Sequence, residues 1–151
     1  MGSPSPSRNY PEDDFRDRVN VLNDLAVLRL DDLLAELGVW VVKQGRRMVG
    51  PCPVHGGDRP DAFSLYPDGH TIGGNWSCRS RGCHRVFRNT LIGLVWGVLS
   101  HQCRGWEERG QPTVPFRDAI GVVCRVLGVT FDGVKVDREA IEKKRLTALD
   151  N

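Results

Sequence analysis

A chain of 151 residues holds one domain with a modest core, and a net charge of +2 is too small to imply a nucleic-acid partner by itself. With 40% hydrophobic residues, 17 glycines and 9 prolines, short strands and loops are expected beside a few helices. No apolar run reaches membrane-spanning length, and "MGSPSPSRNYPEDD" lacks the apolar stretch of a signal peptide, so the expected location is the cytoplasm and no membrane partner is expected. Five cysteines, an odd number, then read as thiols available to a metal rather than as disulfides.

Residues 1–18 are expected to be a disordered N-terminal segment, Ser/Pro-rich at its start. From Val19 to Leu37 apolar residues recur at helical spacing, with Leu30, Leu33, Leu34 and Leu37 on one face, and Gly38 fits the left-handed position that ends a helix. "VWVVK" (39–43), "AFSLY" (62–66) and "HTIGGNWSC" (70–78) read as strands, separated by "QGRR" and "PDG" turns. "TLIGLVWGVLS" (90–100) is an apolar helix, and "PFRDAIGVVCRVLG" (115–128) a helix that Pro115 opens and Gly128 closes. "VTFDGVKV" suits a hairpin about Asp132-Gly133, and residues 136–151 form a polar helix or linker. The folded module is therefore placed at 19–135.

Three of the five cysteines and three of the four histidines fall between Gly50 and Phe87. Cys52 and His55 form a Cys-x2-His pair; after twenty-two intervening residues come Cys78 and Cys83, a Cys-x4-Cys pair. Zinc takes four tetrahedral N/S ligands, commonly as two close pairs from separate turns, and a closed set of four makes a structural site. The spacing thus predicts one structural Zn2+ on Cys52, His55, Cys78 and Cys83, with His84 as the alternative to Cys83. His70 is expected on the surface, Cys124 in the core and Cys103 in a loop.

The stretches "GRRMVGPCPVHGGDRPDAFSL", "WSCRSRGCH" and "VPFRDAIGVVCRVLGV" together resemble the N-terminal zinc-binding domain of bacterial (DnaG-type) DNA primases. The match takes in Gly45, Arg46, Gly50, Cys52, Pro53, His55, Pro60, Phe63, Trp76, Cys78, Cys83, Phe116 and Ala119, and covers roughly residues 28–130. It departs from the family in the second pair, where Cys-x4-Cys-His stands for Cys-x2-Cys-Gly, and in "RNT", which stands for Gly-Asp before the following helix. The resemblance implies an α+β fold, a zinc ribbon in which a small antiparallel sheet carries the metal and is flanked by helices. It further implies recognition of single-stranded DNA template at the start of RNA primer synthesis in replication, beside a primase catalytic domain or a replicative helicase. Polymerisation would belong to a separate domain with clustered carboxylates. Here the pairs Asp13/Asp14 and Asp31/Asp32 read as solvated, and no catalytic residue is assigned.

A single strand is held by cations along its backbone and by aromatic faces under its bases. Between Lys43 and Arg88 lie eight basic residues against three acids, so this segment carries +5 and the flanks −3. Lys43, Arg46, Arg47, Arg79, Arg81, Arg85 and Arg88 are the phosphate-contact candidates, with Arg46 foremost because it falls in the family's Gly-Arg motif. Phe63 and Trp76 are the stacking candidates, against the alternative that both pack in the core. The competing reading of the whole is a free-standing zinc ribbon that binds other nucleic acid or a protein.

Overall fold

The computed structural model describes residues 12–56, 59–67, 75–104, 112–136 and 139. Among them are five helices and one four-stranded antiparallel sheet, an α+β fold in which helices flank a small sheet. In chain order these are α1 (Glu12–Leu28), α2 (Leu30–Leu37), β1 (Val42–Gln44), β2 (Arg47–Gly50), β3 (Phe63–Leu65), β4 (Trp76–Cys78), α3 (Cys83–Phe87), α4 (Leu91–Arg104) and α5 (Phe116–Leu127). No helix among the described residues is long and apolar enough to cross a membrane.

The single helix expected over 19–37 is two helices, broken at Arg29. The apolar stripe runs through the break without a change of phase (Val19, Leu22, Ala26, Leu30, Leu33, Leu37), so periodicity alone carries no sign of it. Arg29 leaves helical geometry at φ −121°, and its Nε meets Asp32 Oδ2 at 2.7 Å. Asp31 and Asp32 thereby open α2, where negative charge is favoured. Gly38 ends α2 in the left-handed conformation, as the sequence requires.

Residues 12–18, expected to be disordered, belong to α1. They are tied to the segment after α5: Phe15 packs on Phe131 with ring centroids 5.6 Å apart, and Arg18 donates to the carbonyls of Phe131, Asp132 and Val134. The same contacts explain why the expected hairpin about Asp132-Gly133 is absent. Residues 130–134 form turns closed by Gly133 N–H to Thr130 O and Val134 N–H to Phe131 O, and the carbonyls that a second strand would pair are taken by Arg18. The strand interruption at Gly73-Gly74 and the helix from 137 lie outside the described residues, apart from Glu139.

The sheet runs β1-β2-β3-β4 with short antiparallel pairings. Its register sets Met48 opposite Leu65 and Leu65 opposite Trp76, then Gly50 opposite Phe63 and Phe63 opposite Cys78. These rows share one face by the two-residue alternation of strands, and that face is the core face. The other face carries Val42, Val49, Ser64 and Ser77 in one row, with Gln44 beside Arg47. α3 packs on β4 and on α4, and α4 in turn packs on α5 and α1. Leu91, Ile92, Leu94, Val95 and Val98 of α4 are all buried, so this helix is enclosed on nearly every side. α5 begins after Pro115 and ends at left-handed Gly128, and Cys124 sits in its buried face as expected.

Candidate metal centre

Two turns at one end of the sheet deliver the ligands. β2 ends at Gly50, and Cys52 to Gly56 form the first turn. Val54 of this turn is buried against Gly97 of α4, where an added Cβ would come within 2.9 Å of the valine. A side chain at 97 would push the turn off the helix, so a glycine there lets the enclosed helix set the position of Cys52 and His55. β4 ends at Cys78, and the chain folds back with Gly82 N–H on Cys78 O at 3.0 Å. Gly82 then takes φ +67°, a conformation that costs a side chain about 1 kcal/mol or more, and starts α3 with Cys83 as its first residue. The four-residue spacing thus reflects a turn plus a helix start in place of a simple knuckle.

The side-chain ligand atoms of Cys52, His55, Cys78 and Cys83 all lie within 4.8 Å of one another. His55 Nδ1 stands 3.2 Å from Cys83 Sγ and 3.6 Å from Cys78 Sγ. A tetrahedral ion with metal–sulfur bonds of about 2.3 Å places its ligand atoms about 3.6–3.8 Å apart, so the cluster has the dimensions of a metal site. The three sulfurs are buried and His55 is half-buried. His55 Nε2 faces Ser80 Oγ at 3.4 Å, the kind of outer partner that fixes which ring nitrogen meets the metal. Four protein donors can close the coordination shell around one ion, which marks a structural site.

His84, the alternative fourth ligand, is outside the cluster. Its Nδ1 accepts the backbone N–H of Cys78 at 3.0 Å, and its ring stands edge-on to Trp76 at 6.1 Å between centroids. It therefore orients a ligand strand instead of holding the ion. Burial, followed by the charge of Arg85, lowers its pKa, which suits an imidazole that accepts a hydrogen bond. His101 is also outside the cluster; its ring lies near Gly56, and its Nδ1 is buried without a hydrogen-bond partner among the described residues. His70 and the side chain of Cys103 lie outside the described residues.

Three crowded thiols without a cation cannot all ionise. Hydrogen bonds from Cys52 and then Cys83 pull the pKa of Cys78 far down, so its sulfur carries the first negative charge. The hydrogen bond to Cys78 pushes Cys52 up to about 11, and Cys83 is raised by its hydrogen bonds to Cys52 and Cys78 and by burial. A cation reverses this order, because every sulfur binds as thiolate. Metal uptake near pH 7 is accordingly expected to release protons from the thiols, and affinity is expected to rise with pH. Calorimetric titration in buffers of different ionisation enthalpy measures the number released; release of none would contradict thiol ligation.

The nucleic-acid candidates divide. Phe63 and Trp76 are 0% and 2% exposed, so neither can stack on a base: the register turns both toward the helices, where their rings meet at 5.9 Å. Lys43, Arg46, Arg79, Arg81 and Arg85 are exposed. Arg47 is half-buried, with one guanidinium nitrogen 3.4 Å from Ser64 Oγ and the other 3.5 Å from Gln44 Oε1. Arg88 folds its guanidinium over the Phe116 ring at 4.6 Å, a packing role between the α3 end and α5. Sequence reasoning missed Trp40, which is in solvent; the alternation of "VWVVK" was the signal that could have found it. Comparison with protein-family models, with curated proteins and with solved structures finds no match.

Proposed function

We propose that this chain is a zinc-binding module that holds single-stranded DNA template for a primase at the start of RNA primer synthesis. The observation that carries the reading is the ligand cluster itself: the two pairs named by the primase-like motifs converge at one end of a short antiparallel sheet. Three thiolates and one imidazole in a tetrahedral set favour zinc over harder cations, which prefer oxygen. The ion would rigidify the turns at Cys52 and Cys78 and so hold the strands that carry the basic residues. Of these, Arg46 lies in the β1–β2 turn and Arg79, Arg81 and Arg85 surround the second metal turn. The catalytic step would belong to a separate primase polymerase domain, and a replicative helicase would be a further partner.

Salt-dependent binding tests this. The zinc-loaded protein is expected to bind a labelled single-stranded oligonucleotide in preference to duplex DNA or RNA, with affinity falling steeply as salt rises. Arg46→Ala is expected to weaken binding and to flatten the slope of log K against log salt by about 0.7, the value of one phosphate contact on a single strand. Fluorescence anisotropy across a salt series reads both. Equal affinity for duplex or RNA would move the assignment to a ribbon of another specificity, and absence of binding at low salt would end the nucleic-acid reading.

A further inference from the structure

Stacking on bases requires an aromatic face in solvent. Phe63 and Trp76 do not offer one, and Phe15, Tyr66, Trp96 and Phe116 are half-buried. Among the described residues, Trp40 is the one aromatic exposed by more than half, at 66%. It stands just before β1, an edge strand whose one sheet neighbour among the described residues is β2. The chain at Trp40 passes close to β2: a Cβ on Gly50 would lie 2.5 Å from the Trp40 carbonyl and 3.4 Å from Val41 Cα. Burial alternates along this stretch. Val39 and Val41 pack on the core, whereas Trp40 and Val42 turn outward, and Val42 is 44% exposed.

The same outward face carries the positive charge. Val42 pairs with Val49 and Gln44 with Arg47, so Arg47 shares the side of the sheet on which Val42 lies, two residues from Trp40. Its hydrogen-bonding partners Ser64 and Gln44 are both neutral, which leaves its charge uncompensated by them. Arg46 and Lys43 stand at the turn and edge of the same ribbon, and no acidic residue occurs from Val39 to His55. An exposed indole about 13 Å of strand away from a pair of arginines, with no carboxylate in the segment, is complementary to a polyanion whose bases are free to leave their own stack. A duplex hides those faces; a single strand presents them.

We infer that Trp40 is the base-stacking platform of a single-stranded DNA track along the exposed β1 edge, with Arg46 and Arg47 at the β1–β2 turn contacting the phosphates beyond it. The assignment rests on the function proposed above and adds the residue that grips the base. It also moves the aromatic contact from the buried rings of Phe63 and Trp76 to an indole in solvent.

The test uses the zinc-loaded full chain and a fluorescein-labelled oligothymidylate of about 12 nucleotides, within the range covered by one small binding fold. Trp40→Ala is expected to weaken binding about tenfold, the size of one lost stack. Its salt slope is expected to match wild type, because no phosphate contact is removed. Trp40→Phe is expected to keep most of the affinity, and an oligonucleotide of abasic sites to bind wild type and Trp40→Ala equally. Because the side chain is in solvent, both variants are expected to keep their metal and their melting temperature. If wild type binds the oligonucleotide and Trp40→Ala binds it within twofold, the stacking assignment is overturned while the proposed function stands. If wild type itself fails to bind at low salt, both fall together.

Discussion

Cys78→Ser is expected to empty the metal centre and melt the sheet. Cys78 is buried as the last residue of β4; its N–H is held by His84 and its carbonyl receives Gly82 N–H. A serine hydroxyl does not ionise at neutral pH and cannot replace the thiolate that takes the first negative charge of the cluster. Structural zinc in small modules contributes about 10–16 kcal/mol of apparent binding energy, and this energy is also folding energy. A whole domain is commonly stable by only about 5–15 kcal/mol, so the loss is comparable with everything that holds the fold together. The sheet strands are three or four residues long and depend on their anchored turns, whereas α1, α2, α4 and α5 share a core of Leu22, Leu33, Ile92, Ile120 and Val123. Helical circular dichroism is thus expected to fall less than the near-ultraviolet signal of the buried Trp76. Cys124→Ser is the control: it removes a buried thiol in α5, away from the cluster, and is expected to keep one metal per chain. Metal analysis by mass spectrometry, together with thermal melts before and after chelation, decides the matter. A Cys78→Ser protein that retained one zinc per chain and melted as wild type would refute the ligand set.

The ligands were legible because metal chemistry restricts both residue type and spacing; few other reasons bring two Cys/His pairs together in a Gly-rich segment. The choice between Cys83 and His84 was not legible in the same way. These neighbours sit on one short helix and point in different directions, and only the position of α3 after Gly82 shows which of them joins the ligand cluster. The helix caps at Gly38 and Gly128 were legible from local rules, because a left-handed residue is needed wherever the chain turns back on a helix end. Long-range tethers were not. Nothing local to residues 12–18 signals that Arg18 will find three carbonyls more than a hundred residues away, and nothing local to Arg29 breaks the stripe it interrupts. The aromatic residues show the limit most clearly. Phe63, Trp76 and Trp40 are all strand-like in composition, but a strand's two faces are distinguished only once its register is set, and a shift of one residue would exchange them. The pairing of Leu65 with Trp76 buries that indole, while the pairing of Val42 with Val49 exposes Trp40.

The second large effect is expected at Trp76. Its ring lies 5.9 Å from Phe63 and 6.1 Å from His84, and its Nε1 donates to the carbonyls of Arg88 at 3.0 Å and Thr90 at 2.9 Å. It therefore joins the sheet to the corner between α3 and α4. Arg88 holds φ +86° at that corner, a conformation that costs a residue with a side chain about 1–3 kcal/mol. The indole bond to its carbonyl and the guanidinium stacked on Phe116 are the contacts that offset this strain. Trp76→Ala is expected to cost about 3–5 kcal/mol through the cavity it leaves. Trp76→Phe keeps most of the apolar ring and removes the indole donor from the Arg88 carbonyl, while the Thr90 carbonyl keeps the Leu94 N–H, and is expected to cost about 1–3 kcal/mol. Urea unfolding of the metal-saturated proteins separates the contributions: a phenylalanine variant as stable as wild type would show that the indole N–H is dispensable and the corner holds without it. Metal affinity adds an independent readout, since Trp76 lies two residues before Cys78 and touches the histidine that positions it. Trp76→Ala is expected to weaken metal binding as well as folding. A loss of stability with metal affinity unchanged would mean that the turns hold the ligands without the sheet, and that the sheet's rigidity is not what the metal supplies.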